Sequence, residues 1–318
     1  MRSRIKTYFK LLKEAANEFS LDNATKLSAS LAYYTIFSIG PLLLVVISLA
    51  GIFYGPEDIT GRIHAQMSGL VGEGGANTIR DMLASISQQQ NKQFFGILGA
   101  VILAFGATGV FVEIQSSINY IWSIRAKPKR GWLKFIKDRF LSFSLIVGVG
   151  FLLIVSLVIS AVVDSLTSRL ASFLGEANLV LAKVTSMALL FAIISFMFSV
   201  IYKVLPDAKI AWKDAFVGAS FTGVLFLIGK FLIGLYLSKS NFDTYGAAAS
   251  IIIILSWVYY SAMILYFGAE FTKVYAMEKG KGIVPYETAV FIVKREAKEL
   301  PASVKDPKNN PAKPHEIS

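Results

Sequence analysis

Between Gly246 and Ala269 the chain runs for 24 residues without a charge, GAAASIIIILSWVYYSAMILYFGA. At ~1.5 Å of rise per residue this is ~36 Å of helix, enough to cross a hydrocarbon core of ~30 Å with some tilt. Inside a bilayer no water is available to bond backbone N–H and C=O groups, so such a run has to be helical. A polar turn, SKSNFDTY, leads into it, and Glu270 and Lys273 close it. Further long apolar runs occur along the chain. The fold class this predicts is all-α: a polytopic membrane protein.

The composition agrees. Of the 318 residues, 54% are hydrophobic and 17% are charged, against about 25% charged in a typical soluble domain. The net charge of +11 could suggest nucleic acid, but a membrane protein that keeps its basic residues on the cytoplasmic side accounts for it without a nucleic-acid partner. There are no cysteines and only two histidines, His64 and His315. A disulfide framework, a thiolate metal site and a histidine-rich metal centre are therefore excluded, and no cofactor is expected. The first apolar run is too long and too late for a cleaved signal, so it should act as an uncleaved anchor.

In order, residues 1–30 form a cytoplasmic amphipathic segment. Ile5, Tyr8, Phe9, Leu12, Ala16 and Phe19 recur at helical spacing, with Lys6, Lys10 and Lys13 on other faces, which suits a basic helix on the inner leaflet or one packed on cytosolic loops. Asp22 or Asn23 can cap the next helix. A six-helix transmembrane domain occupies 31–273, with spans near 31–54, 94–121, 140–163, 179–202, 215–237 and 246–271. Gly40 and Pro41 in the first span form a candidate hinge, since proline removes a backbone donor and crowds the preceding turn. The external loop 55–93 carries two short amphipathic patterns that could lie over the bundle as a lid. Residues 274–318 form a cytoplasmic tail, disordered from about 300 on its proline-rich, polar composition.

Charge sets the orientation. With both termini inside, the cytoplasmic segments hold 25 Lys and Arg and the external ones 5. That is the asymmetry expected of six spans.

Ionisable groups at membrane depth are costly and mark candidate functional sites. Glu113 shares a helix face with Gly99, Gly106 and Gly109, so it should point into the bundle, where small residues admit a neighbouring helix. Asn119 belongs to the polar run that follows. Lys230 continues the stripe Ala215, Ala219, Gly223 and should also point inward, though too far out to meet either glutamate. Glu270 shares a face with Tyr266, Met263, Tyr259 and Ser256. The glutamates are expected to meet Arg125, Lys203, Lys209 or Arg139 at the inner interface. Lys230 is expected to meet Asp243, Asp164 or a lipid phosphate, with Asp243 and Tyr245 forming a gate beside it. Arg125, Lys127, Lys129, Arg130 and Lys134, in a strongly basic inner loop, are candidate contacts for anionic lipids. Lys183, one turn inside its span, is read as structural. No catalytic or metal-ligating constellation is present, and no enzyme activity is expected.

Four stretches, KLSASLAYYTIFSIGPLLL, ATGVFVEIQSSINYIW, YKVLPD and YGAAASIIIILSWVYYSAMILYFGAEF, together resemble the YihY family of bacterial inner-membrane proteins, also called the BrkB virulence-factor family. The resemblance covers roughly residues 10–280. It implies six transmembrane helices in a bacterial cytoplasmic membrane. It also brings a label as a tRNA-processing ribonuclease, and associations with serum resistance, envelope lipids and transport. A metal-dependent nuclease of that kind needs clustered His and Asp ligands, and two distant histidines do not supply them. The function expected is transport or lipid handling of an anionic amphiphile or small anion in the cell envelope. The alternative is a non-transporting scaffold that recruits envelope-assembly partners. Partners are the bilayer and its anionic lipids, with a second copy or an envelope protein left open.

Overall fold

A computed structural model describes residues 2–50, 95–127, 176–239 and 249–294, with single positions between 61 and 81 and between 131 and 140. The third predicted span, most of the 55–93 loop, the Asp243–Tyr245 turn, Lys129, Arg130, Lys134 and the last part of the tail lie outside the described residues. In chain order the elements are α1 (Arg2–Leu21), α2 (Ala24–Ala50), α3 (Phe95–Ile121), β1 (Ile124–Ala126), α4 (Glu176–Val204), β2 (Ala208–Ile210), α5 (Trp212–Lys239), α6 (Ala249–Glu278), β3 (Ile283–Pro285) and β4 (Ala289–Phe291).

The described fold is predominantly helical, and two helices are long and apolar enough to cross a membrane, Trp212–Tyr236 in α5 and Ile251–Glu278 in α6. Helix α6, built on the charge-free run, is the hub. It packs against α5, α2, α1 and α3, while α2 pairs with α3 and α4 with α5. Helix α2 remains helical through Gly40 and Pro41.

Close approach of α5 and α6 rests on two glycines. A Cβ on Gly218 would sit 2.7 Å from the Thr272 Cβ, and one on Gly268 would sit 2.9 Å from the Thr222 Cβ, both inside van der Waals contact. Thr222 and Thr272 turn their hydroxyls back to the carbonyls of Gly218 (2.8 Å) and Gly268 (2.6 Å), so no hydroxyl proton is left unpaired at this contact. Two aromatic donors then bind the α6 backbone. Tyr202 Oη donates to Leu265 O at 2.8 Å and Trp122 Nε1 to Ala269 O at 3.1 Å. Both side chains are buried in the main core with Ile118, Ile121, Leu205 and Tyr266.

One end of the bundle is stitched by β-structure that the all-α reading did not foresee. β1, just after α3, pairs antiparallel with β4, in the register Arg125↔Val290; β2, between α4 and α5, pairs with β3, in the register Lys209↔Val284. Three-residue strands carry no periodicity that a sequence reading can use. They form here because the segment after α6 folds back across two loops. Gly282 (φ 77°) makes that reversal possible, and buried Asp214 in the first turn of α5 accepts the Lys281 N–H at 2.8 Å.

Candidate functional site

The same end contains the densest group of buried charges among the described residues. It is built from α1, α6 and the segment after β4. Leu11, Ala15 and Glu18 fall on one face of α1, and Asp22, one residue past its end, continues that face at spacings of four, three and four, its N–H still bonded to the Glu18 carbonyl. The first two bury against Phe271 and Val274 of α6, and Phe19 meets Phe267 edge-on at 5.7 Å. The helices run antiparallel, so the acidic half of the α1 face reaches the α6 turn that carries Glu270 and Lys273. The elbow that swings α1 into this position is Asn23, at φ 51°, a conformation asparagine tolerates better than most residues.

Glu270 is fully buried. Lys273 Nζ lies 3.5 Å from Glu270 Oε2 and 2.7 Å from Glu18 Oε2. Asp22, 4% exposed, is ion-paired with Lys294. Lys294 also donates to the Ile121 carbonyl at 3.3 Å and sits over the Tyr120 ring, 4.4 Å from its centroid. Burial pushes the Lys294 ammonium below the usual lysine range, with the Asp22 carboxylate opposing that shift. Glu18, Asp22 and Glu270 each offer an oxygen within 4.8 Å of the others. Two ammonium groups already occupy their neighbourhood, which makes the group a poor host for a divalent metal. Among the described residues, Glu270 Oε1 is buried with no hydrogen-bond partner.

The residues expected from sequence are placed as follows. Glu270 is at the centre of the cluster, and its neighbours are Lys273 and the Asp22–Lys294 pair rather than Arg125, Lys203 or Lys209; Arg139 lies outside the described residues. Lys203 instead caps the Ile210 carbonyl and lies 5.9 Å from the centroid of the Trp212 ring. Glu113 is half-buried on α3. Asn119 is buried and clasps Asp207 twice: its Nδ2 donates to Asp207 Oδ2 at 2.9 Å, and its Oδ1 accepts the Asp207 N–H at 2.8 Å. It positions the turn before β2. Arg125 and Lys127 are exposed beside the β1–β4 pair.

Two readings are corrected. Lys230 does not point inward; it is exposed on α5. The Ala215–Ala219 stripe is buried near the α5 start. At the level of Lys230, though, the buried positions are Gly229 and Ile233, which face Tyr260, Ile264 and Trp257 of α6. The apolar face of α1 is also displaced by about one residue: Leu11 and Ala15 are buried, whereas Phe9 is 70% exposed and Tyr8 and Ala16 are exposed as well.

Sequence reasoning missed Glu18, Lys273 and Lys294 as site residues and read Asp22 only as a cap. The available signal was the spacing of Glu18 and Asp22, which continues the Leu11–Ala15 seam. Lys294 gave none, because it lies 272 residues from its partner.

A polytopic helical bundle whose central helix carries a buried, partly unpaired carboxylate defines an integral membrane protein with an ionic cluster at one end. The chain belongs to the virulence factor BrkB family, whose sequence profile matches residues 15–288. It is a multi-pass protein of the bacterial inner membrane. A UPF0761 membrane protein of Pseudomonas paraeruginosa is 30% identical over 277 residues, covering 85% of this chain and 63% of that relative. UPF0761 membrane proteins of Alteromonas mediterranea and Aeromonas salmonicida are 29% and 28% identical, covering 79% and 80% of this chain and 82% and 85% of theirs. The chain thus spans less than two thirds of the length of the Pseudomonas relative. No solved structure matches it.

Proposed function

We propose that the chain is a transport or lipid-handling protein with six spans and cytoplasmic termini, acting on an anionic amphiphile or a small anion. The observation that carries this reading is the buried ionic cluster at Glu270. A scaffold needs no charge inside its bundle, and a carboxylate buried without a full set of donors is costly to keep. Such a group is retained where charge is bound or moved. The gathering of α1, β1, β2 and the strands after α6 at one end supports a common side for the termini and the two intervening loops. The concentration of basic residues in those segments supports the cytoplasm as that side. Exposed Arg125 and Lys127, with Lys129, Arg130 and Lys134, would hold anionic headgroups, at about 1 kcal/mol per basic residue near the surface. Exposed Lys230 would meet headgroups toward the opposite leaflet.

Purified protein in liposomes, assayed for phospholipid scrambling and for anion efflux, tests the reading. The expected result is a rate above that of protein-free vesicles. Equal rates in both assays would overturn it. The scaffold reading draws on one observation, the exposed apolar side chains Phe291 and Val293 in the segment after α6, and would be favoured by that null result.

A further inference from the structure

With every member ionised, the cluster carries three negative charges (Glu18, Asp22, Glu270) and two positive ones (Lys273, Lys294). One negative charge is in excess in a site where Glu270 is fully buried and Asp22 nearly so. The geometry locates the excess. Lys273 is 0.8 Å closer to Glu18 (2.7 Å) than to Glu270 Oε2 (3.5 Å), Lys294 is paired with Asp22, and Glu270 Oε1 has no donor among the described residues. A buried anionic oxygen without a donor is unfavourable. The same oxygen bearing hydrogen becomes a donor, and the Asp22 carboxylate, with an oxygen within 4.8 Å of one of Glu270's, is the neighbouring acceptor.

We propose that Glu270 binds one exchangeable proton on Oε1, directed at Asp22, and that this proton is the ion coupled to movement of the substrate. The coupling half of this statement rests on the transport reading above; the proton site does not. One proton brings the five side chains to neutrality. A divalent cation would overshoot to a net positive charge and would have to displace the ammonium groups.

The groups facing Glu270 are Glu18 of α1, Asp22 just past its end, Lys273 of α6 and Lys294 beyond β4; half-buried Glu113 on α3 acts on Tyr266, one turn earlier on α6. Lys26, near the start of α2, is exposed. For the coupling to hold, the proton binds Glu270 from water on one side of the membrane and leaves to the other once the substrate has moved. With it bound, α1 and the segment after β4 sit against α6 without net charge. With it gone, Glu270 repels Asp22 and Glu18, and the contact that closes this end of the bundle weakens.

Infrared difference spectroscopy of the full chain in liposomes, in H2O and D2O, tests the site. A protonated-carboxyl C=O band is expected at neutral pH, displaced by deuteration and absent in Glu270→Gln, which keeps the shape of the neutral acid. Should Glu270→Gln fail to fold, Asp22→Asn decides: it removes the excess negative charge and frees Lys294, so the band should be lost or strongly reduced at neutral pH. Absence of the band at neutral pH, a band unaffected by both substitutions, or a band replaced by carboxylate signals on adding sodium or magnesium ions would each overturn the proposal. The coupling half is read in flux assays, where Glu270→Gln should lose most of the dependence of rate on a pH gradient. A band without flux in any assay would sink the transport reading and leave the proton site standing. Flux without the band would do the reverse.

Discussion

Removing Lys294 is the sharpest test of the ionic cluster as a structural clasp. In Lys294→Met the chain length is kept and the ammonium is lost. Asp22, 4% exposed, then keeps its charge beside Glu18 and Glu270 with Lys273 as the one remaining cation of the cluster. Breaking a fully buried pair costs about 3–5 kcal/mol. The Lys294 side chain is 24% exposed, so solvent screens part of the interaction, and about 2–3 kcal/mol is the better expectation. Asp22→Asn removes the partner instead and leaves a paired hydrogen-bonding group, so about 1–2 kcal/mol is expected. In the double variant the charges leave together. Its destabilisation should fall short of the sum of the singles by about 1.5 kcal/mol, a coupling of the size seen for contacting side chains. Denaturant titration in detergent micelles, followed by helical circular dichroism, gives the four free energies. Limited proteolysis after α6 adds a local readout, since Lys294 ties that segment to α1 and α3. Single variants within about 0.5 kcal/mol of wild type, the scale of ordinary surface changes, together with an additive double variant, would show that the pair holds nothing.

Two further outcomes are expected. Gly268→Ala should destabilise by about 1–3 kcal/mol, because the new methyl would meet the Thr222 Cβ at 2.9 Å; Thr222→Gly should recover part of the loss in the same titration, and a neutral Gly268→Ala would contradict the close α5–α6 contact. The hydrogen bond to Glu278 holds the Lys10 ammonium above the usual lysine range. Its contribution to stability is therefore fully present below the unfolded value of about 10.4 and disappears as pH rises through the raised one. Lys10→Gln should flatten that alkaline limb in unfolding curves recorded across it, and an unchanged limb would remove Lys10 as its source.

The sequence alone determined the membrane class, the helical character of α5 and α6 and the family. Each rests on a property that a bilayer imposes locally: a long apolar run must be helical, and it must be long enough to cross. It also singled out Glu270, because a charge ending such a run is anomalous without any knowledge of its neighbours. What only the tertiary structure decided is what those residues meet. Glu270 was expected to find a basic partner in the inner loops, but it lies with Asp22 and Lys294, which helix packing brings together from opposite ends of the chain. Lys230 shares an angular stripe with Ala215 and Ala219, yet it is exposed, while Gly229 and Ile233 beside it are the positions that face α6. The three-residue strands are equally invisible in sequence. Their hydrogen bonds come from loops that meet only after the segment beyond α6 has turned back at Gly282. Periodicity reports which face of one helix is apolar; it carries no information about how many neighbours that face will find.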